Sequence, residues 1–224
     1  MWTRLKKWRK LLRKRKSAAT TKVDKREGEN IAMTADLSEE VLAFWIGAGP
    51  AAWYKQDADF DAEITVRFGD LWAEGAAGRL EGWTGNRHKA LALIILLDQF
   101  PRNMFRDDAR AFATDSRAKT AACYALNHGY DQRTDEPLRQ FFYMPFMHSE
   151  LLTDQDHCVR LMRGRMNSGS NLLHARVHRQ IIREFGRFPY RNAALGRKTT
   201  AAERDFLDNG GYARFAADLE ADAA

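Results

Sequence analysis

From Thr34 onward, apolar residues recur at spacings of three and four with polar residues between them, the pattern of helices that each bury one face. Asp36-Leu-Ser-Glu-Glu opens a first helix through Phe44, Trp45 and Ile46, and Gly47-Ala-Gly-Pro50 ends it. A second helix over 57–76 sets Phe60, Ile64, Phe68 and Trp72 at successive fourth positions, which makes that stripe a core face. The third, over 86–99, is apolar nearly all round, so it is expected to be the central buried element, with Pro101 as its stop. Further helices are expected over 114–128, ending at Gly129, and over 136–142. Others run from Ser149 to Gly164, from Ser170 to Phe185 with Gly186 closing it, and for a short stretch after Thr199 and Thr200. Val and Ile are scarce beside Leu, so the β-branched supply that sheets favour is missing. The pattern predicts an all-α fold of antiparallel helix pairs joined by short loops. No residue-level repeat period is visible, so a solenoid of identical units does not follow.

Composition narrows the class. The chain has 224 residues, 45% hydrophobic and 29% charged, as expected of a soluble globular protein. Its longest apolar run, Ala90 to Leu97, is eight residues, far below the roughly 20 that a membrane-spanning helix needs. Two cysteines, Cys123 and Cys158, exclude a disulfide framework and a cysteine-based zinc site, and point to a reducing, cytoplasmic setting.

The net charge of +6 belongs to the amino terminus. Residues 1–30 carry twelve Lys/Arg against three Asp/Glu, which leaves 24 basic and 27 acidic residues in 31–224. A basic groove on the folded part is therefore not implied. Residues 1–32 read as a basic extension, disordered or amphipathic, ahead of a single helical domain over 33–224. Within it Trp2, Leu5, Trp8 and Leu12 recur at spacings of three and four among Lys and Arg, a pattern suited to an anionic membrane surface or to non-specific contact with nucleic acid. A solvated tail, dispensable for folding, is the other reading. Met33, immediately before the first helix start, also allows an upstream start codon to account for the segment.

Candidate chemistry lies where the helix pattern is broken. His174 and His178 fall in the middle of the face drawn by Val177, Ile181 and Phe185, so both imidazoles are expected to point inward. Gln155 lies in the stripe of Leu152, Val159 and Met162, with His148 about one turn ahead of Leu152. Asp98 sits on the buried face at the carboxyl end of the third helix, where the helix dipole disfavours an anion, so it requires a cation. Arg102 is the nearest in sequence, and Arg187, Arg191 and Arg197 form a second supply beside Phe188, Pro189, Tyr190 and Asn192.

Three segments, LLDQFPRNMFR (96–106), FFYMPFMHSELLTDQ (141–155) and HRQIIREFGRFPYRNAALGR (178–197), resemble the signature blocks of a bacterial and plant family known as domain of unknown function family 924, over about Met33 to Leu207. That resemblance implies a fold similar to the tetratricopeptide-repeat-like helical superfamily, a right-handed superhelix of helix pairs, and no assigned reaction. The recurring polar positions it implies are Asp98, Gln99, Arg102, Asn103, Asp115, His148, Ser149, Glu150, Gln155, His178, Gly186, Arg187, Arg191, Asn192 and Arg197. His is the more usual residue where this chain has Tyr190, and His174 lies outside the pattern.

Several functions compete for these residues. A metal site would join the i,i+4 pair His174 and His178 to Glu150 or His148, but the HExxH spacing is absent and no metal or other cofactor is expected. Acid–base chemistry would use His148 or His178, tuned by Asp98 or Glu150, with arginines holding an anionic substrate. Nucleophilic serine or cysteine chemistry has little support, since Ser149 reads as a helix cap before Glu150. A buried network that merely fixes helix packing is the plainest account. A peptide-binding or protein-binding scaffold is the remaining alternative. The reading carried forward is a small anionic ligand or substrate held by Asp98, Arg102, Asn103, His148, Glu150, Gln155, His178, Arg187, Arg191 and Arg197. It expects His148, Gln155, His178 and Arg187 to share one cavity.

Overall fold

A computed structural model describes residues 36–221, so the basic segment 1–32 lies outside the described residues. Within them the chain is helical and contains no strand. The α-helices longer than one turn are α1 (Leu37–Ala48), α2 (Ala58–Ala76), α3 (Arg87–Ile94), α4 (Phe100–Met104), α5 (Asp115–Asn127), α6 (Leu152–Arg165), α7 (Gly169–Phe185), α8 (Ala201–Asp208) and α9 (Gly211–Ala221). Asp36, Asp57, Asn86 and Ser168 begin α1, α2, α3 and α7 by accepting hydrogen bonds from backbone N–H groups that have no intrahelical partner. Thr200 and Glu203 form a reciprocal capping box at the start of α8. Gly186 closes α7 in the left-handed conformation, at φ 67°.

The apolar run becomes the centre of the molecule, with every residue from Ala90 to Phe100 buried, Asp98 and Gln99 included. α1 and α5 pack on α3, while α2 packs on α4 and α6 on α7. A second, smaller apolar cluster joins Val177, Ile181 and Ile182 of α7 to Phe188, Phe206 and Phe215. α7 contributes Ala175 to the first cluster and these three residues to the second, so it forms the seam between them.

Three expectations about the elements are corrected. Pro101 does not stop the central helix. α3 widens into a π turn, Ile95–Gln99, and runs on into α4, with Pro101 in the first turn of α4, where a missing N–H is tolerated. The Leu97 carbonyl, left without an N–H from Pro101, instead accepts from the Thr114 hydroxyl at 2.6 Å. The Trp72 indole donates to that hydroxyl at 3.3 Å. Thr114→Val is therefore expected to cost about 1–2 kcal/mol in denaturant unfolding, because it leaves a buried carbonyl and an indole N–H without this partner. An unchanged midpoint would show that the carbonyl needs no partner.

Ser149 does not cap a helix beginning at Glu150. Glu150 is drawn to Arg197 and to the Phe188 N–H, so α6 starts only at Leu152. Leu152 is correspondingly exposed, contrary to its expected place in the buried stripe. Finally, α9 follows Asn209-Gly210 where the sequence reading expects no element. Its Tyr212, Phe215, Ala216 and Leu219 pack on the second cluster.

Candidate functional site

The π turn explains where the most buried carboxylate sits. A single π turn inserts one extra residue into a helix and rotates the side chains beyond it, a distortion that often accompanies function. Here the Phe100 N–H bonds back to the Ile95 carbonyl, and the turn carries Asp98, which is fully buried. His148, at the end of the single helical turn Met144–Met147, donates from Nδ1 to the Asp98 carboxylate at 2.8 and 3.0 Å. The Gln99 amide donates to the same carboxylate. Arg102 reaches the Asp98 carbonyl at 2.6 Å and lies 3.7 Å from Oδ1. Burial alone would raise the Asp98 pKa. The positive charge available at His148 and Arg102 and these hydrogen bonds overcome it and hold the carboxyl at about 2. The expected cation is present, but the first partner of Asp98 is His148, with Arg102 in support.

Arg102 also bridges to Asp115 at the start of α5, 2.9 Å away. Arg191 approaches the same carboxylate at 3.5 Å. Two guanidinium groups thus converge on one aspartate. The Arg191 plane is clamped between two aromatic rings, 4.6 Å from the Phe112 centroid and 4.4 Å from that of Phe188. Its side chain is only 7% exposed, yet its buried Nε has no hydrogen-bond partner among the described residues and its Nη1 reaches only the 3.5 Å ion pair with Asp115. Burial and the repulsion of Arg102 push its pKa down, the signature of an under-compensated cation.

His178, on α7, adjoins the cluster. Its ring lies 6.3 Å from His148 and 5.5 Å from Phe188, both in edge-to-face arrangements. Its Nδ1 bonds to the His174 carbonyl at 2.9 Å. Burial, then the charges of His148 and Arg191, lower its pKa to about 3. Burial and Arg102 also lower that of His148, so neutral imidazoles are favoured at neutral pH. Tyr190, half-exposed, stacks on Phe188 at 5.4 Å, and desolvation, with Glu150 in support, raises its pKa against the opposing pull of Arg191 and Arg102. That phenol remains a proton-bearing donor. The cluster reaches solvent at its margin, with His148, Asp115 and Arg102 side chains 11%, 20% and 21% exposed.

Other predicted site residues are held elsewhere. Asn103 donates to Asp61 on α2. Gln155 is buried as expected, but its amide donates to the carbonyls of Phe146, Met147 and Ser149, fixing the approach to α6. Arg187 pairs with Glu203 and the Lys198 carbonyl, so it does not share a cavity with the histidines. Glu150 and Arg197 form a two-pronged pair at 2.7 and 3.0 Å. With the Phe188 N–H on Glu150 at 2.9 Å, that pair ties the 188–197 loop beside the site. His174 is exposed rather than inward, with its Nδ1 2.7 Å from the Tyr212 hydroxyl.

Asp115, one of the recurring polar positions the resemblance implies, falls outside the ligand-binding set expected from the sequence, because a helix-opening aspartate reads as a local feature. Sequence reasoning missed Phe112, whose only signal was its apolar type in a polar stretch. Among the described residues, no three His, Cys, Asp or Glu side chains gather as a metal-ligand set.

The family described as "Bacterial protein of unknown function (DUF924)" matches residues 41–211, most of the chain. A solved structure of a protein of unknown function from Agrobacterium tumefaciens is similar, with 44% sequence identity and a TM-score of 0.76. That similarity covers 79% of this chain and 99% of the other. No curated protein matches.

Proposed function

We propose that this chain, which belongs to the DUF924 family of bacterial proteins of unknown function, binds a small anion between Arg191, Arg102 and the His148–His178 pair. One observation carries the reading. Arg191 is a buried guanidinium between two aromatic rings, whose Nε has no partner among the described residues and whose Nη1 has only a long ion pair with an Asp115 that Arg102 already holds. Leaving a buried charged group in that condition costs free energy that a carboxylate or phosphate would recover through charge-assisted bonds. The planar fork of arginine suits such an anion better than an ammonium would. The tight gathering of Asp98, Arg102, Asp115, His148, His178 and Arg191 also favours a small ligand over an extended peptide. A cytoplasmic location goes with this reading, since exposed Cys123 and buried Cys158 are both free thiols, the form a reducing compartment keeps.

The test is thermal unfolding of the full chain in acetate and in inorganic phosphate, each against chloride at equal ionic strength. An anion at 100 times its Kd stabilises by about 2.7 kcal/mol, which shifts the melting temperature by several degrees. Arg191→Met is expected to lose that shift while unfolding no earlier than the parent without added anion, because it removes a desolvated charge and keeps an apolar side chain between the two rings. Equal anion responses in parent and variant would refute the site.

A further inference from the structure

The partners of the two histidines fix more than their orientation. Nδ1 of His148 faces a carboxylate, and Nδ1 of His178 faces a backbone carbonyl. The carboxylate and the carbonyl only accept hydrogen bonds, and the carbonyl at 2.9 Å outweighs the Tyr212 hydroxyl 3.4 Å from the same His178 Nδ1, so in each neutral ring the proton resides on Nδ1 and Nε2 presents a lone pair. Neither Nε2 has a partner among the described residues. Beside them lies the opposite chemistry, the donor-rich edge of Arg191, which presents N–H groups and accepts nothing. The site therefore offers donors at Arg191 and acceptors at the two imidazoles. A bare anion can satisfy only the first.

Resting on the anion reading above, we propose that the ligand is a hydroxylated small anion, its anionic group on Arg191 and its neighbouring hydroxyls donating to Nε2 of His148 and His178. His148 and His178 are then the specificity-determining residues. The Asp98 carboxylate behind His148 strengthens its Nε2 as an acceptor, the role an aspartate plays behind an imidazole. Phe188, packed against both Arg191 and the His178 ring, holds the two halves of the site in register. The shared chemistry has two sources, a hydroxy acid or a phosphate monoester of a polyol, because arginine forks accept either anion.

Isothermal titration of the full chain separates the possibilities. Propionate, lactate and glycerate keep one carboxylate and add hydroxyls one at a time, while inorganic phosphate and glycerol 3-phosphate make the corresponding phosphate pair. In at least one of the two series, each added hydroxyl is expected to tighten binding by about five- to tenfold, the net worth of one hydrogen bond. The series that responds identifies the anionic group. His178→Phe keeps an aromatic ring against Phe188 and Tyr212, and is expected to erase one such step in the ratio of hydroxylated to unhydroxylated affinity. Equal affinities along both series would overturn the hydroxyl proposal and leave the anion site standing. Gains that persist in His178→Phe and in His148→Phe alike would overturn the assignment to these residues. Failure of every compound to bind would bring down the anion reading as well.

Discussion

Replacing Asp98 with alanine is expected to destabilise the protein by about 3–5 kcal/mol, the range measured when one partner of a buried charge pair is removed. The side chain is fully buried and accepts from His148 and Gln99, with Arg102 alongside. Without it, Arg102 and Arg191 would share Asp115 as their remaining carboxylate, and the His148 Nδ1–H would lose its acceptor. A small void would add to the cost. Asp98→Asn keeps the shape and an acceptor oxygen, and is expected to lose less stability while still leaving the two guanidiniums under-compensated. Urea unfolding at pH 7 measures both. A loss below about 1 kcal/mol for Asp98→Ala, with the anion response gone, would mean that Asp98 serves the ligand rather than the fold.

What could be read from the sequence depended on whether a signal was local. Helix positions were legible because burial imposes a period, as in Ile64 and Phe68 of α2 or Val177 and Ile181 of α7. The continuation past Pro101 was not, since it depends on the hydroxyl of Thr114, thirteen residues further on. α9 was hidden by Asn209-Gly210-Gly211, which reads as an ending, although Tyr212, Phe215, Ala216 and Leu219 keep helical spacing beyond it. The burial of Asp98 and Gln155 followed from polar residues in apolar stripes. Their partners did not, because a polar residue announces a need without naming what meets it. The Gln155 amide nitrogen is met by three backbone carbonyls, which no residue pattern encodes, while its Oε1 has no partner among the described residues. Arg187 and Arg191 are four residues apart in one loop, yet the first pairs with a capping glutamate and the second enters an aromatic clamp. Only the turn of the backbone at Pro189–Arg191 separates those fates.

The neutral histidines also set the protein's response to acid. A histidine whose folded pKa lies below its unfolded value of about 6.5 contributes no penalty at pH 7, and lowers stability as pH falls beneath 6.5, because the unfolded chain then binds protons the folded one refuses. His178, at about 3 in the fold, is in that position, and His148 is lowered as well. Burial also lowers His157, which adds in the same direction. Asp115, raised by burial, takes up its proton earlier in the folded state and offsets part of the loss. Asp98 and Glu203 are held at about 2, so their contributions are lost progressively below about pH 5, outside this window. With a discount for its partial exposure, His178 alone is expected to remove about 1–2 kcal/mol between pH 7 and pH 5. Unfolding free energies of the parent and of His178→Phe, measured across that range, should converge as pH falls, with the parent showing the steeper decline. Parallel profiles would mean that His178 titrates in the fold as it does in the unfolded chain, and that His148 and His157 account for the acid sensitivity that remains.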